Sequence, residues 1–336
     1  MACLISVNSC PVFEGGIMKE YFQLHEAEKV EIITLQDNYI DITATDNNSV
    51  ITRAMPLKGG EIRNSILAEH GFSALIRIEL DGQTRTILFD FGFSQEGAAF
   101  NAKVLEADMS KVEALVLSHS HGDHLGGMES LIKLIGRQRL DLYVHPAVFK
   151  SPRYIKISEQ QKVYFPRFTK QRAESLGVNV VETRAPRLLL DAAALFLGEI
   201  PRLTAFEKGL PTAYFQKDGM EYWDPLEDDT SVVIRLREKG LVVLSGCAHS
   251  GIVNTVQYAK NVTGIDKVHV VMGGFHLNGP LFEPIIARTT EELKKIRPDY
   301  VIPCHCTGRK AIMYMEKEMQ GQFILNMSGT KLAFTS

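Results

Sequence analysis

The chain has 336 residues, 45% of them apolar, and its 37 basic side chains against 40 acidic ones leave a net charge of −3. That is enough apolar material for a sizeable core, so global disorder is excluded; the length admits two domains or one large α/β domain with an insertion. The near-balanced charge gives no general attraction to nucleic acid or an anionic membrane, and no apolar run reaches the length of a membrane span.

Met1–Gly16 has no hydrophobic period, carries Cys3 and Cys10, and ends in Gly15-Gly16 ahead of Met18. Residues 1–17 are expected to be a loosely ordered arm, or else the native start lies at Met18, with the folded domain over residues 18–336. Five cysteines, an odd number, do not make a disulfide framework, and no charged-then-apolar leader opens the chain. The expected compartment is the cytoplasm.

Beyond the arm, short apolar runs alternate with amphipathic ones. Phe72–Leu80 and Thr84–Phe89 flank Asp81-Gly82, a turn dipeptide, and predict a β-hairpin. Ala114–Leu117 predicts a strand. Leu125–Gly136 predicts a helix with Leu125, Met128, Leu131, Ile132 and Ile135 on one face, and Leu142–Val144 another strand. Lys150–Glu227 has weaker periodicity and more Pro, Arg and aromatic residues, including Trp223, and reads as an insertion covering the metal edge over about residues 150–227. Strands follow at Ser231–Leu236, Leu241–Leu244, Val268–Met272 and Tyr300–Ile302, with helices at Glu283–Ile296 and Arg309–Met319. This order predicts an α/β (α+β) fold, a mixed sheet system with helices packed outside.

Four metal-competent side chains fall within Ser118-His119-Ser120-His121-Gly122-Asp123-His124, directly after a predicted strand. His119 and His121 project from the same side of an extended chain, and Asp123 and His124 follow round the turn toward a second position. Imidazoles with a carboxylate suit Zn²⁺, as one ion or two, with Fe or Mn as alternatives. Three later segments repeat the design, each placing a histidine after an apolar run: Gly246-Cys247-Ala248-His249-Ser250-Gly251, Gly273-Gly274-Phe275-His276-Leu277 and Cys304-His305-Cys306-Thr307-Gly308. Strand ends rich in small residues are where α/β proteins build sites, because glycine lets backbone and ligand approach closely.

The HxHxDH run, preceded by a strand and followed by Leu125-Gly126-Gly127, resembles the metallo-β-lactamase superfamily. With Glu69-His70-Gly71-Phe72-Ser73 and Gly198-Glu199-Ile200-Pro201-Arg202, the later segments are similar to one group within it. That group comprises metal-dependent hydrolase-like proteins and includes an archaeal dihydropterin ribofuranosylaminobenzene phosphate synthase. The resemblance runs from about Val30 to the C-terminus. It implies a four-layer αββα sandwich with the metals at one sheet edge. It also implies His119 and His121 as ligands of a first ion, Asp123 and His124 of a second, and His305 as the family's last histidine. The family's bridging aspartate falls where this chain reads Gly246-Cys247, and its third histidine falls in Leu210–Arg235, which contains none. His249 is the nearest substitute. Asp90 matches a buried aspartate that orients a ligand histidine, while Asp228 and Asp229 read as turn residues or an N-cap.

Asp123 is the candidate to hold and deprotonate a water, and His276 to donate to a leaving group or oxyanion. Arg309 and Lys310, opening a helix after His305, and Arg202 and Lys208 in the insertion are candidate binders of an anionic substrate. Cys247 is expected beside the ligands rather than among them, and Cys304 and Cys306 as small buried residues. Phe165, Phe168, Tyr214 and Trp223 could line a pocket or sit in the core. The expected function is hydrolysis of a phosphoester or related ester of a small anionic molecule, with no nucleic acid and no membrane as partner. Two alternatives stand: a transferase resembling the pterin synthase, in which an arylamine displaces diphosphate, and a non-catalytic metal-containing ligand sensor.

Overall fold

A computed structural model describes residues 9–14, 17–55, 57–62 and 65–336. The expectation for the N-terminal arm lies outside the described residues at 1–8 and 15–16; of the remainder, Ser9–Glu14 pairs antiparallel with Ile17–Phe22.

Among the described residues two large sheets face each other. The first runs Asn179–Glu182, Asp141–Val144, Ala114–Val116, Gln83–Phe89, Ser73–Leu80, Lys29–Gln36, Lys331–Thr335 and Ile51–Thr52 across its width. The second runs Arg187–Leu189, Ala194–Phe196, Ser231–Leu236, Gly240–Ser245, Val268–Gly274 and Tyr300–Cys304. Alternation along each strand decides which layer a side chain joins. Ala74, Ile76 and Ile78 pack between the sheets with Val232, Ile234, Val242 and Leu244, while Leu75 turns outward. On that outer side it meets Ala98, Ala99 and Ala102 of Gly97–Val104 and Leu131 and Ile135 of Met128–Ile135. Behind the second sheet, helices Ile252–Thr263, Ile286–Ile296 and Arg309–Glu318 bring Val256, Leu293 and Met315 against Val243 and Val271. The architecture is the αββα sandwich.

The predicted helix Leu125–Gly136 is divided into Gly122–Leu125 and Met128–Ile135. Gly126 stands at the break because a Cβ there would lie 1.7 Å from the Phe93 carbonyl oxygen. Of residues 150–227, Arg153–Lys156, Lys162–Tyr164, Ala213–Lys217 and Met220–Trp223 form a small separate sheet. Asn179–Glu182, Arg187–Leu189 and Ala194–Phe196 instead extend the two large sheets. No helix among the described residues is long and apolar enough to cross a membrane.

Gln83–Phe89 runs parallel to Ala114–Val116, and Gly240–Ser245, Val268–Gly274 and Tyr300–Cys304 run parallel to one another. The carboxyl ends of each group deliver Asp90, His119 to His124, Cys247, His249, His276 and His305, which gather at one edge.

Candidate metal centre

Two ligand sets meet there. In the first, His119, His121 and His249 are all buried, and their ligand atoms lie within 4.8 Å of one another. Their rings are 4.5–4.9 Å apart between centroids. Nε2 of His119, Nε2 of His121 and both ring nitrogens of His249 have no hydrogen-bond partner. Burial, reinforced by neighbouring imidazoles, holds His119 and His249 well below the usual histidine range; burial and the Arg153 charge push His121 down to about 3. All three are therefore neutral near pH 7, with lone pairs available to a cation.

The second set joins Asp123, His124, Cys247 and His305. His124 Nε2 lies 3.1 Å from both Cys247 Sγ and His305 Nε2, and Asp123 Oδ2 lies 3.2 Å from His305 Nε2. Burial alone would lower His124, but the Asp90 and Asp123 carboxylates outweigh it and raise the imidazole to about 9. Burial likewise opposes the Asp123 charge, yet His124, His305 and His70 together hold its carboxyl well below the ordinary range. Cys247, His249 and His276 form a further ligand-competent group, and His276 Nδ1 is buried without a partner.

Buried polar atoms without partners are destabilising, and several converging on one point mark a missing charge or ligand. Imidazoles with a carboxylate and a thiol are the donor set of a zinc-type divalent ion, which would take the place of the proton on His124, so the residues present fit a metal.

The protein supports these ligands from behind. Asp90 Oδ2 accepts from His124 Nδ1 and from the Ser118 hydroxyl, each at 2.7 Å, and Ser118 Oγ in turn lies 2.9 Å from His119 Nδ1. A Cβ on Gly246 would lie 2.1 Å from Ser118 Oγ, so glycine is required beside Cys247. Asp37 accepts the His305 backbone N–H at 2.9 Å, and Asn38 Oδ1 lies 3.1 Å from His305 Nδ1. Asp90, Ala248, His276 and His305 all hold positive φ, between 45° and 57°, which non-glycine residues adopt at a cost and which clusters at functional sites.

Several residues take places the sequence did not specify. Cys247, expected beside the ligands, has its Sγ 3.1 Å from His124 Nε2 and within a ligand-competent group. Asp228 lies in the turn ahead of Ser231–Leu236, as expected, but it and Asp229 are fully buried acceptors: Asp228 pairs with Arg153, and Asp229 accepts the His249 and Ser250 backbone N–H groups. His70, to which the sequence lent no role, places Nε2 3.4 Å from Asp123 Oδ2. Its only signal was its place in Glu69-His70-Gly71.

Beside His249 and His276 opens a cavity of about 410 Å³ walled by Phe206, Trp223, Phe275 and Phe282, with Lys208 on its lining. Lys208 is exposed and has no ion-pair partner among the described residues. Arg202 stands behind Gly209 and donates through Nη2 to the Pro225 carbonyl, so backbone occupies part of its guanidinium. Arg309 and Lys310 do not line this cavity, and Lys310 pairs with Glu283 at 2.7 Å. Of the four aromatic candidates only Trp223 lines it; Phe165 stacks on His121, Tyr214 stacks on Tyr154, and Phe168 joins the outer core.

Comparison with known proteins agrees with this architecture. The Beta-lactamase superfamily domain matches residues 85–177, which contain His119 to His124. The chain is 34% identical over 288 residues to the 7,8-dihydropterin-6-methyl-4-(beta-D-ribofuranosyl)-aminobenzene-5'-phosphate synthase of Methanocaldococcus jannaschii, across 83% of this chain and 94% of that protein. An uncharacterized protein of the same organism is 30% identical over 251 residues, 73% of this chain and 86% of the relative. Tm1679, a metal-dependent hydrolase of the beta-lactamase superfamily, has a solved structure that matches at a TM-score of 0.69 and 21% identity, over 91% of this chain and 100% of that one. The chain belongs to the metallo-β-lactamase superfamily.

Proposed function

We propose that the protein is a metal-dependent hydrolase of small anionic esters, with a phosphoester carrying an aromatic group as the preferred substrate class. One observation carries this reading: buried imidazole nitrogens of His119, His121 and His249 converge without partners. Those three residues would hold one ion, and Asp123, His124, Cys247 and His305 a second, zinc by donor type with Fe or Mn as alternatives. Such ions supply Lewis acidity, which lets water act as a nucleophile near neutral pH.

The remaining work falls to the chain. Asp123 Oδ2 stays ionised among His70, His124 and His305 and is the acceptor for a proton from water. His124 is fixed through Nδ1 by Asp90, so Nε2 stays turned toward the cluster. His276, whose ring centroid lies 4.2 Å from that of His249 and which also lines the cavity, is the donor to the departing oxygen. Lys208 offers a free cation to the anionic end of the substrate, while Phe206, Trp223 and Phe282 cover its aromatic part and exclude water.

The aromatic walls and the 34% identical synthase favour a second reading, in which an arylamine takes the place of water and a diphosphate leaves. Protein purified without added metal, then assayed in heavy-oxygen water with aryl phosphodiesters and esters, and with a diphosphate ester in the presence and absence of an arylamine, separates the two. Bound metal with heavy oxygen in the product supports hydrolysis. Bound metal with release only when an arylamine is supplied supports the synthase reading. Bound metal without turnover of either kind leaves the sensor, and absence of bound metal overturns all three.

A further inference from the structure

We infer that Arg153 is a positioning residue for the His119, His121 and His249 set, tying the small sheet to the loop that carries two of those ligands. The inference rests on the metal-binding reading above.

Arg153 opens a strand of the small sheet, yet it is 4% exposed and every guanidinium nitrogen is engaged. Nε donates to Asp224 Oδ2 at 2.6 Å and Nη2 to Asp228 Oδ1 at 2.8 Å. Nη1 donates to both Asp228 Oδ2 and Ser120 Oγ at 2.7 Å. Ser120 is the residue between His119 and His121, and its own N–H donates to Asp228 Oδ2 at 3.1 Å. The next two residues extend the clamp. Asp229 accepts the His249 and Ser250 N–H groups at 2.9 Å, and the Thr230 N–H donates to the Ser118 carbonyl at 3.1 Å. Residues 228–230 thus bond on one side to the loop of His119 and His121, and on the other to the loop of His249. Arg153 fixes the first of the three.

The second ligand set is held by other groups, Asp90 on His124 and Asp37 with Asn38 on His305. Burying a guanidinium and two carboxylates is costly, and apolar side chains would join two elements as firmly. What the planar fork adds is direction, since its fixed donors set the angles of three acceptors at once. Asp224, its third acceptor, directly follows Trp223 of the cavity wall, so wall and ligand loop share one anchor.

Stepwise Co²⁺ loading of the metal-free protein tests this. Only an ion bound by Cys247 gives a thiolate-to-cobalt charge-transfer band, whereas ions in both sets give d–d absorption. In Arg153→Lys, whose ammonium donates from one point and lacks the spread of the guanidinium's three nitrogens, the charge-transfer band should titrate as in the parent. The remaining d–d absorption should need about 10–100-fold more cobalt, the scale expected for losing a partner that orients ligands. Ser120→Ala, which keeps the Arg153 pairs with Asp224 and Asp228, should shift the same signal in the same direction by less, and it decides the matter if Arg153→Lys does not fold. Equal weakening of both signals, the mark of a merely structural role, or no change in either, overturns the inference. A parent protein that binds no cobalt overturns the metal-binding reading and this inference with it.

Discussion

His119, His121 and His249 meet with no carboxylate among them and with ring nitrogens that nothing in the protein satisfies. Asp123, His124, Cys247 and His305 already bond to one another, and Asp90, His70 and Asn38 brace them. The first set is neutral and gains most from a cation; the second is charged, internally paired and already shaped without one. Two sites a few ångströms apart thus depend on metal to different degrees, because one lacks an internal counter-charge and the other has its own.

The largest expected effect breaks the first set directly. His121→Ala should release one equivalent of metal, measured by elemental analysis. It should also reduce kcat/KM by more than the ~10–100-fold that losing an outer partner of a ligand costs. Full retention of metal would mean that the orphaned nitrogens serve another purpose. Asp90→Asn tests the second set, because it disturbs the acceptor of the His124 Nδ1 proton. Affinity for the second ion should fall by about 10–100-fold in chelator competition, with a smaller loss at the first, which Asp90 reaches only through Ser118 and His119 Nδ1.

One histidine of each set, His121 and His124, should also pull the stability of the metal-free protein in opposite directions with pH. His121 is held near 3 when folded, below the 6.5 of a free histidine, so the unfolded chain binds the extra proton between these values. Its contribution is present above pH 6.5 and is lost as pH falls toward 3. His124 is raised to about 9, so its contribution is present below 6.5 and is lost as pH rises through 9. Thermal unfolding of chelator-treated protein, scanned across that range, should show His121→Ala flattening the acid limb and His124→Ala the alkaline one. A swap of the limbs would refute the assignment of charge. At the cavity, Trp223→Ala should raise KM for aromatic substrates about 2- to 10-fold, as loss of one aromatic contact predicts, with metal content unchanged. Lys310→Ala should leave both kinetics and metal content at parent values, because its partner is Glu283 and not the cavity.

The parts of this site legible in the sequence are those whose chemistry is local. His119, His121, Asp123 and His124 announce themselves through spacing after one strand, and His249 and His305 through apolar runs that end in small residues. Cys247 stood out only as the residue in place of the family's bridging aspartate; the contact of its sulfur with His124 depends on the path of the turn, which spacing does not give. Arg153 and Asp228 are 75 positions apart, and no period in either segment marks them as partners. Arg309 and Lys310 stand where a phosphate site would begin, but the direction a helix faces is decided by packing rather than by spacing. The hairpin about Asp81-Gly82 was legible because turn chemistry fixes its register; the small sheet was visible only as a shift in composition.

Each ligand set draws from both large sheets: His119, His121, Asp123 and His124 follow a strand of the first, and His249, Cys247 and His305 follow strands of the second. An ion in either set would therefore act as a clasp across the seam of the sandwich, not merely as an occupant of its edge. Stripping metal should then register far from the ligands. Amide exchange would rise together in Ala114–Val116 and Gly240–Ser245, and the two faces of the core would loosen as one cooperative unit.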